Sequence, residues 1–296
     1  MKELIPIYLI RFLSLLPLPI IRCMGRLLGF IAWRLNTKDA DTTRKNIALC
    51  FPQKSAAERS VIARKSLEES AKTLCEVAIA WCWTQEKIHH IITAATGVEI
   101  CESAYSSGKG VIVCAPHLGN WEILGHYLAK RYPLTNMYMA PENPHLHKLL
   151  LSGRTRNGSE LAPANRRGVA DVLKKLTKGE LVGILPDQVP EDEGSGVFAP
   201  FFNQPAFTMK LISNLLRKTG CKIIFAYAKR VPHGFEIVFH DVDENIYSED
   251  LLIATTALNR GIELCVNEAV EQYQWEYKRF KKMPGNTTKI YDQMSY

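Results

Sequence analysis

Gly110–Lys130 reads GVIVCAPHLGNWEILGHYLAK, and the fold follows from it. GVIVCA is a short, uninterrupted apolar run, the pattern of a strand covered on both faces of its sheet. WEILGHYLAK carries apolar residues at helical spacing. Between them Pro116 to Asn120 supplies a turn, and Asn120 is a natural N-cap for the helix. A buried strand that turns straight into a helix is the repeating unit of a parallel sheet with helices on both faces.

Further along the chain the pattern recurs. Leu181–Leu185 (LVGIL) and Ile223–Ala228 (IIFAYA) are strands of the same buried kind, and helical candidates lie at 121–131, 144–156, 167–178 and 208–219. Phe235–Phe239 (FEIVF) alternates and reads as an edge or antiparallel strand, and a final helix is expected over about 250–272. Upstream, Ser55 and Glu58 form a capping-box pattern that opens a helix from Ala56 to Trp81. Trp81 and Trp83 at its end fit a membrane interface or ordinary core packing. The expected fold class is α/β, a largely parallel sheet flanked by helices.

The amino terminus has a different character. Leu4 to Trp33 is mostly apolar, but Arg11, Arg22 and Arg26 interrupt it and Pro6, Pro17 and Pro19 break it. A spanning helix needs about 20 consecutive apolar residues, and the longest charge-free stretch here is Phe12 to Ile21. The segment therefore reads as an interfacial anchor with arginines at headgroup level. A helical hairpin packed on the main domain and a single tilted span are the alternatives. Residues 1–35 are assigned to this helical segment and 36–296 to the globular domain, with the polar stretch 36–52 as junction.

Hydrophobic residues at 47 % and charged residues at 23 % support a large core and exclude wholesale disorder. A net charge of +7 suits a polyanionic partner: a membrane surface, an acidic carrier protein, a phosphorylated substrate or nucleic acid. Nucleic-acid binding needs a basic groove or recognition helix, whereas the basic concentrations here lie around the anchor and the candidate site. The eight cysteines form no C-x-x-C pair and sit in apolar runs, as reduced, buried thiols do. His89-His90 and His145-x-His147 lack the ligand spacing of a zinc site, so neither metal nor cofactor is expected.

Chemistry concentrates at His117 and Glu122. The carboxyl ends of strands in an open α/β sheet are where ligands bind, and the turn puts His117 there. Glu122 falls in the first turn of the helix, where its charge suits the dipole. With Gly119 allowing a turn, imidazole and carboxylate can converge, and an accepting carboxylate would fix the tautomer that leaves the other nitrogen free as a base. A purely structural His–Glu pair fits the same spacing. Asp187, after GILPD, should share that sheet edge, either orienting an arginine or acceptor sugar or closing a turn. Arg154, Arg156, Arg166 and Arg167 form a basic concentration suited to phosphate or carboxylate, or simply a solvated face. Phe198, Phe201, Phe202 and Phe207 could line an acyl groove or belong to the core.

The segment from His117 to Glu122 resembles the H-x4-D/E motif of the glycerolipid and lipid A acyltransferase superfamily. Arg44-Lys45-Asn46-Ile47 through Cys50-Phe51-Pro52, Gly153 to Arg156, Leu181 to Gln188 (LVGILPDQ), Phe201-Phe202 with Thr208, and Trp275 to Phe280 (WEYKRF) are similar, in order, to the late (secondary) lipid A acyltransferases. Tyr277 and Lys278 depart from that branch's W-x-H-R-R-F pattern. The resemblance implies a lysophospholipid-acyltransferase-like fold at the cytoplasmic face of a bacterial inner membrane. It also implies transfer of an acyl chain from acyl-acyl-carrier protein, or acyl-CoA, to a hydroxyl of a lipid A precursor or related lipid. His117 would act as base, Glu122 would orient it, and the backbone near Gly119–Asn120 or the guanidinium groups of Arg154 or Arg156 would hold the oxyanion. A non-catalytic lipid-binding subunit of the same fold is the alternative.

Overall fold

The computed structural model describes residues 2–286 and 290–293. Two short helices, α1 (Ile5–Leu13) and α2 (Leu18–Arg34), lead into α3 (Lys38–Cys50), the long α4 (Ala56–Cys82) and α5 (Gln85–His90). The chain then alternates through β1 (Ile92–Thr96), α6 (Val98–Ser106), β2 (Val111–Cys114), α7 (Trp121–Ala129), β3 (Leu134–Tyr138), α8 (Pro144–Thr155), β4 (Glu160–Pro163), α9 (Arg166–Thr177) and β5 (Leu181–Ile184). A hairpin of β6 (Gly196–Phe201) and β7 (Gln204–Met209) follows, then α10 (Leu211–Thr219), β8 (Lys222–Val231), β9 (Gly234–His240) and α11 (Leu251–Glu268).

Seven strands form one sheet in the order β1-β9-β8-β2-β5-β3-β4. β8, β2, β5, β3 and β4 are mutually parallel, and only the β8–β9 pairing is antiparallel. The expected strand at Phe235–Phe239 is thus antiparallel, but β1 pairs outside it, so it is not the edge. β2 is central and all four of its residues are buried. Ile112 and Cys114 face the core under α9, α10 and α11, while Val111 and Val113 face the core under α4, α6, α7 and α8. This alternation across one fully buried strand makes the domain three layers thick.

The chain leaves β2 towards β3 and leaves β5, by way of the hairpin, towards β8, so connections run to opposite sides of the β2–β5 pair. A crevice opens at the carboxyl ends of strands at such a reversal.

The capping box forms as expected: the Ser55 N–H donates to Glu58 Oε2 and the Glu58 N–H to Ser55 Oγ. Trp81 is buried, and the Trp83 indole N–H donates to the Ser14 carbonyl at 2.7 Å, stitching the α1–α2 turn to α4. The amino-terminal helices pack on α4. A Cβ on Gly25 would stand 2.6 Å from Lys72 Cα, and one on Gly29 2.4 Å from Glu68 Cα, so only glycine permits this approach. The opposite face carries exposed Ile5, Tyr8, Leu9 and Phe12 on α1, Leu15 in the turn after it, and Leu27, Leu28 and Ile31 on α2. Among the described residues no helix is long and apolar enough to cross a membrane. All eight cysteines are free, and six of them are buried. Phe201 and Phe207 are core residues.

Candidate active site

β2 and β5 end in the same way. Ala115-Pro116-His117 follows one and Leu185-Pro186-Asp187 the other, and because the strands are parallel neighbours in register the two polar residues meet. His117 Nδ1 lies 2.7 Å from Asp187 Oδ1, and the His117 backbone N–H donates to Asp187 Oδ2 at 2.8 Å. A carboxylate can only accept, so Nδ1 carries a proton, and in the neutral imidazole Nε2 then keeps its lone pair. Burial works against the Asp187 charge, but the imidazole and the backbone N–H outweigh it and hold the carboxyl below its ordinary range. Trp121 presses its ring edge-on against the imidazole, with centroids 4.9 Å apart.

Glu122 does not orient His117. Both of its oxygens are taken by Arg154 of α8, from Nε at 2.9 Å and Nη2 at 2.5 Å. Helix α7 begins at Trp121 with Asn120 as cap. Glu122 is therefore already on the helix and aimed at α8, while His117 still belongs to the turn. Burial opposes both charges; each overcomes it through the other, Glu122 being lowered and Arg154 raised. Arg154 keeps Nη1, which no hydrogen bond among the described residues uses. A pocket of about 30 Å³ beside the pair, lined by Trp121, Asn136, Met137 and Leu185 among others, has room for water but not for an acyl chain.

The turn itself is fixed by its neighbours. Gly119 has φ +62°, and a Cβ there would come within 2.0 Å of the Ala228 carbonyl oxygen. The Gly119 N–H donates to Gln272 O and the Asn120 N–H to Ala228 O. These two donors, expected for an oxyanion, are consumed in binding the turn to β8 and the carboxyl-terminal segment. The Asn120 side chain is also engaged: Oδ1 accepts from the Ile123 N–H and Nδ2 donates to Glu76 Oε2 at 3.1 Å. Gly119 and Asn120 thus shape the turn rather than face a ligand. Arg156 is likewise turned away, donating to the carbonyl groups of Trp81 and Trp83 at the end of α4.

Glu76 is buried under the turn between two cations. Arg230 donates to it from Nε and Nη2, and Arg22 of α2 donates from Nε at 2.8 Å. Burial alone would raise Glu76; Arg230 and then Arg22 hold it below its ordinary value. Thr73, beside it on α4, donates to the Gly119 carbonyl at 3.0 Å. An amino-terminal helix is in this way connected through one carboxylate to the cap of the helix that carries Glu122.

The carboxyl-terminal segment closes the other side. Gln274 N–H donates to the His117 carbonyl, and the Tyr277 hydroxyl accepts the Val189 N–H at 2.8 Å. Lys282 Nζ holds the Pro190 carbonyl at 2.9 Å. Tyr277 thus anchors the loop that carries Asp187. Glu276 lies within electrostatic reach of His117; burial raises its carboxyl, and Ser70 Oγ donates to it at 2.8 Å. Of the expected site residues, His117 meets Asp187 and Glu122 meets Arg154, and Trp121 links the two pairs by packing on the imidazole and lining the pocket beside Arg154. The repeated strand–Pro–polar layout was the signal that could have paired His117 with Asp187. Among the described residues no group of three or more His, Cys, Asp or Glu is placed to hold a metal.

A family model described as bacterial lipid A biosynthesis acyltransferase matches residues 3–282. The chain is similar to a lipid A biosynthesis lauroyltransferase of Escherichia coli K12, 28 % identical over 281 residues, covering 93 % of this chain and 90 % of that one. A palmitoleoyltransferase of the same strain is also 28 % identical, over 279 residues and with the same two coverages. A myristoyltransferase of that strain is 26 % identical over 272 residues, covering 90 % of this chain and 82 % of that one.

Proposed function

Because the chain belongs to the bacterial lipid A biosynthesis acyltransferase family, we propose that it transfers a fatty acyl chain from acyl-acyl-carrier protein to a hydroxyl of a lipid A precursor, forming an acyloxyacyl ester. The observation that carries this reading is the His117–Asp187 pair at the carboxyl ends of β2 and β5, with Trp121 packed between the imidazole and the pocket beside the Arg154–Glu122 ion pair. His117 Nε2 takes the proton of the acceptor hydroxyl as its oxygen attacks the thioester carbonyl. Asp187 accepts Nδ1–H and stabilises the imidazolium. Arg154 Nη1 donates to the tetrahedral oxyanion, with Glu122 holding the guanidinium in place. The C–S bond then breaks, and the imidazolium returns its proton to the thiolate.

The site of action in this reading is the cytoplasmic face of a bacterial inner membrane. The apolar face of α1 and α2 lies in the interface, and Arg11 and Arg34 lie near headgroup phosphates. Relatives with three different acyl groups in their names match to nearly the same extent, so the length of the transferred chain is not part of the proposal.

The test is acyl transfer by purified protein in mixed micelles, with labelled acyl-acyl-carrier protein and the tetra-acylated lipid A precursor. Wild type should add one acyl group and His117→Ala should not. Transfer to a lysophospholipid from acyl-CoA in its place would reassign the acceptor. Inertness towards both pairs would leave a lipid-binding protein.

A further inference from the structure

The nitrogen that must receive the proton is already occupied. Gln188 follows Asp187 in the chain, and its Nε2 lies 3.2 Å from His117 Nε2. In the neutral imidazole, with its proton held on Nδ1 by Asp187, His117 Nε2 can only accept, so the amide donates to it. Gln188 thus sits where the acceptor hydroxyl must come. The backbone beside it is held at the Val189 N–H by Tyr277 and at the Pro190 carbonyl by Lys282, so the side chain can swing while its anchor stays still.

We infer that Gln188 is a stopper on the base: its amide occupies His117 Nε2 until the acceptor hydroxyl displaces it, which denies the base to water while the thioester waits. The inference rests on His117 acting as the base. In the reaction suppressed, His117 Nε2 takes a proton from water and the hydroxide oxygen bonds to the acyl carbon. The C–S bond then breaks, and the imidazolium proton passes to the thiolate, giving a fatty acid and a thiol. With acceptor present, the lipid hydroxyl replaces the amide on Nε2 and the same proton path yields ester and thiol. The other titratable groups around the imidazole are Asp187 on Nδ1 and Glu276 of the carboxyl-terminal segment, with Tyr273 and Arg279 of the same segment beside Asp187. None of these is altered by changing Gln188.

The experiment compares Gln188→Met, which keeps the shape without the donor, and Gln188→Glu, which turns an acceptor towards the base. Two rates are followed across pH with acyl-acyl-carrier protein in micelles: thioester hydrolysis without acceptor, and transfer with the tetra-acylated lipid A precursor. Loss of one neutral hydrogen bond corresponds to about 2- to 10-fold faster hydrolysis for Gln188→Met, and to an acid limb higher by up to about one pH unit. For Gln188→Glu the limb should move further in the same direction. Hydrolysis that does not rise in Gln188→Met, or an acid limb that does not move in either variant, overturns the stopper. The base is judged separately. Wild type active and His117→Ala inert, with both Gln188 variants behaving as wild type, removes the stopper and leaves the base standing. Equal activity of wild type and His117→Ala removes both.

Discussion

Arg154 closes on both carboxylate oxygens of Glu122 in one fork, with only 18 % and 6 % of the two side chains exposed. Removing one member of such a pair leaves an uncompensated charge in a place water barely reaches, at a cost of about 3–5 kcal/mol. Glu122→Ala and Arg154→Ala should each lower the unfolding free energy by that order and abolish measurable transfer. The double variant Glu122→Leu/Arg154→Met should recover most of the stability and none of the activity, because the apolar pair packs but donates nothing to an oxyanion. Denaturant titration and transfer assays on the same preparations separate the two effects. Recovery of activity in the double variant would remove Arg154 from the reaction.

Asp187→Asn tests the tautomer. An amide nitrogen facing Nδ1 would push the proton to Nε2 and take away the base, and the corresponding change in a serine protease triad costs about 10⁴ in kcat. A loss of at least about 10³-fold in kcat, with little change in KM for the donor, is expected here. An unchanged kcat would show that the carboxylate only secures the turn.

Glu76, Glu122 and Asp187 are all held below the ordinary carboxylate range in the folded protein. For a depressed carboxylate, the folded state gains stability that is fully present above the unfolded value, about 4, and lost as pH falls through the folded value. The share of wild-type stability that these three contribute should therefore be constant from neutral pH down to about pH 5 and fall steeply below pH 4. Glu76→Gln should be less stable by about 3–5 kcal/mol at neutral pH, since Arg22 and Arg230 lose their shared partner. Its acid decline should also be shallower than that of wild type. Unfolding followed at several pH values reads both; a parallel decline would mean that Glu76 is not depressed.

Much of this fold is legible in the sequence because it depends on local pattern. Val111–Cys114 and Leu181–Ile184 are continuously apolar since both sheet faces are covered, and Ser55 and Asn120 mark helix starts. β1, β3 and β4 carry no such run: Thr93, Asn136 and Glu160 interrupt them, and their pairing is decided by long-range contacts. The site divides in the same way. His117 and Asp187 could each be placed at a strand end, but their union depends on β2 and β5 being neighbours, which no spacing within either motif encodes. The Glu122–Arg154 pair is hidden for the same reason, since α8 must first pack against α7. Sequence proximity favoured Glu122 for the imidazole, and the onset of the helix at Trp121 defeats it.

Tyr277→Phe removes the acceptor of the Val189 N–H and leaves that buried donor without a partner, a cost of about 1–3 kcal/mol. The effect should be local. Hydrogen exchange in the loop from Asp187 to Glu191 should speed up more than in β2 or β5, and kcat should fall several-fold as His117 loses a firmly held Asp187. Equal acceleration throughout the sheet would make Tyr277 a general stability residue instead of an anchor for this loop.

The apolar face of α1 is open to solvent. Ile5, Tyr8, Leu9 and Phe12 recur at helical spacing and are 61, 65, 53 and 56 % exposed, while Ile7 and Leu13 on the other side are buried. A contiguous apolar face of this kind on a folded protein marks a surface that meets something else, and Arg11 beside it suits anionic headgroups. Burying a leucine and a phenylalanine contributes about 1.5–3 kcal/mol each. Leu9→Glu/Phe12→Glu should therefore weaken association with anionic lipid vesicles by more than about tenfold, with secondary structure unchanged. Raising the salt should weaken the wild type only in part, since the apolar contribution is not screened. Hydrolysis of a soluble acyl thioester should be spared in the double variant, whereas transfer to a vesicle-embedded acceptor should fall with binding. Undiminished vesicle association would assign the apolar face of α1 to some other contact and remove it from the membrane.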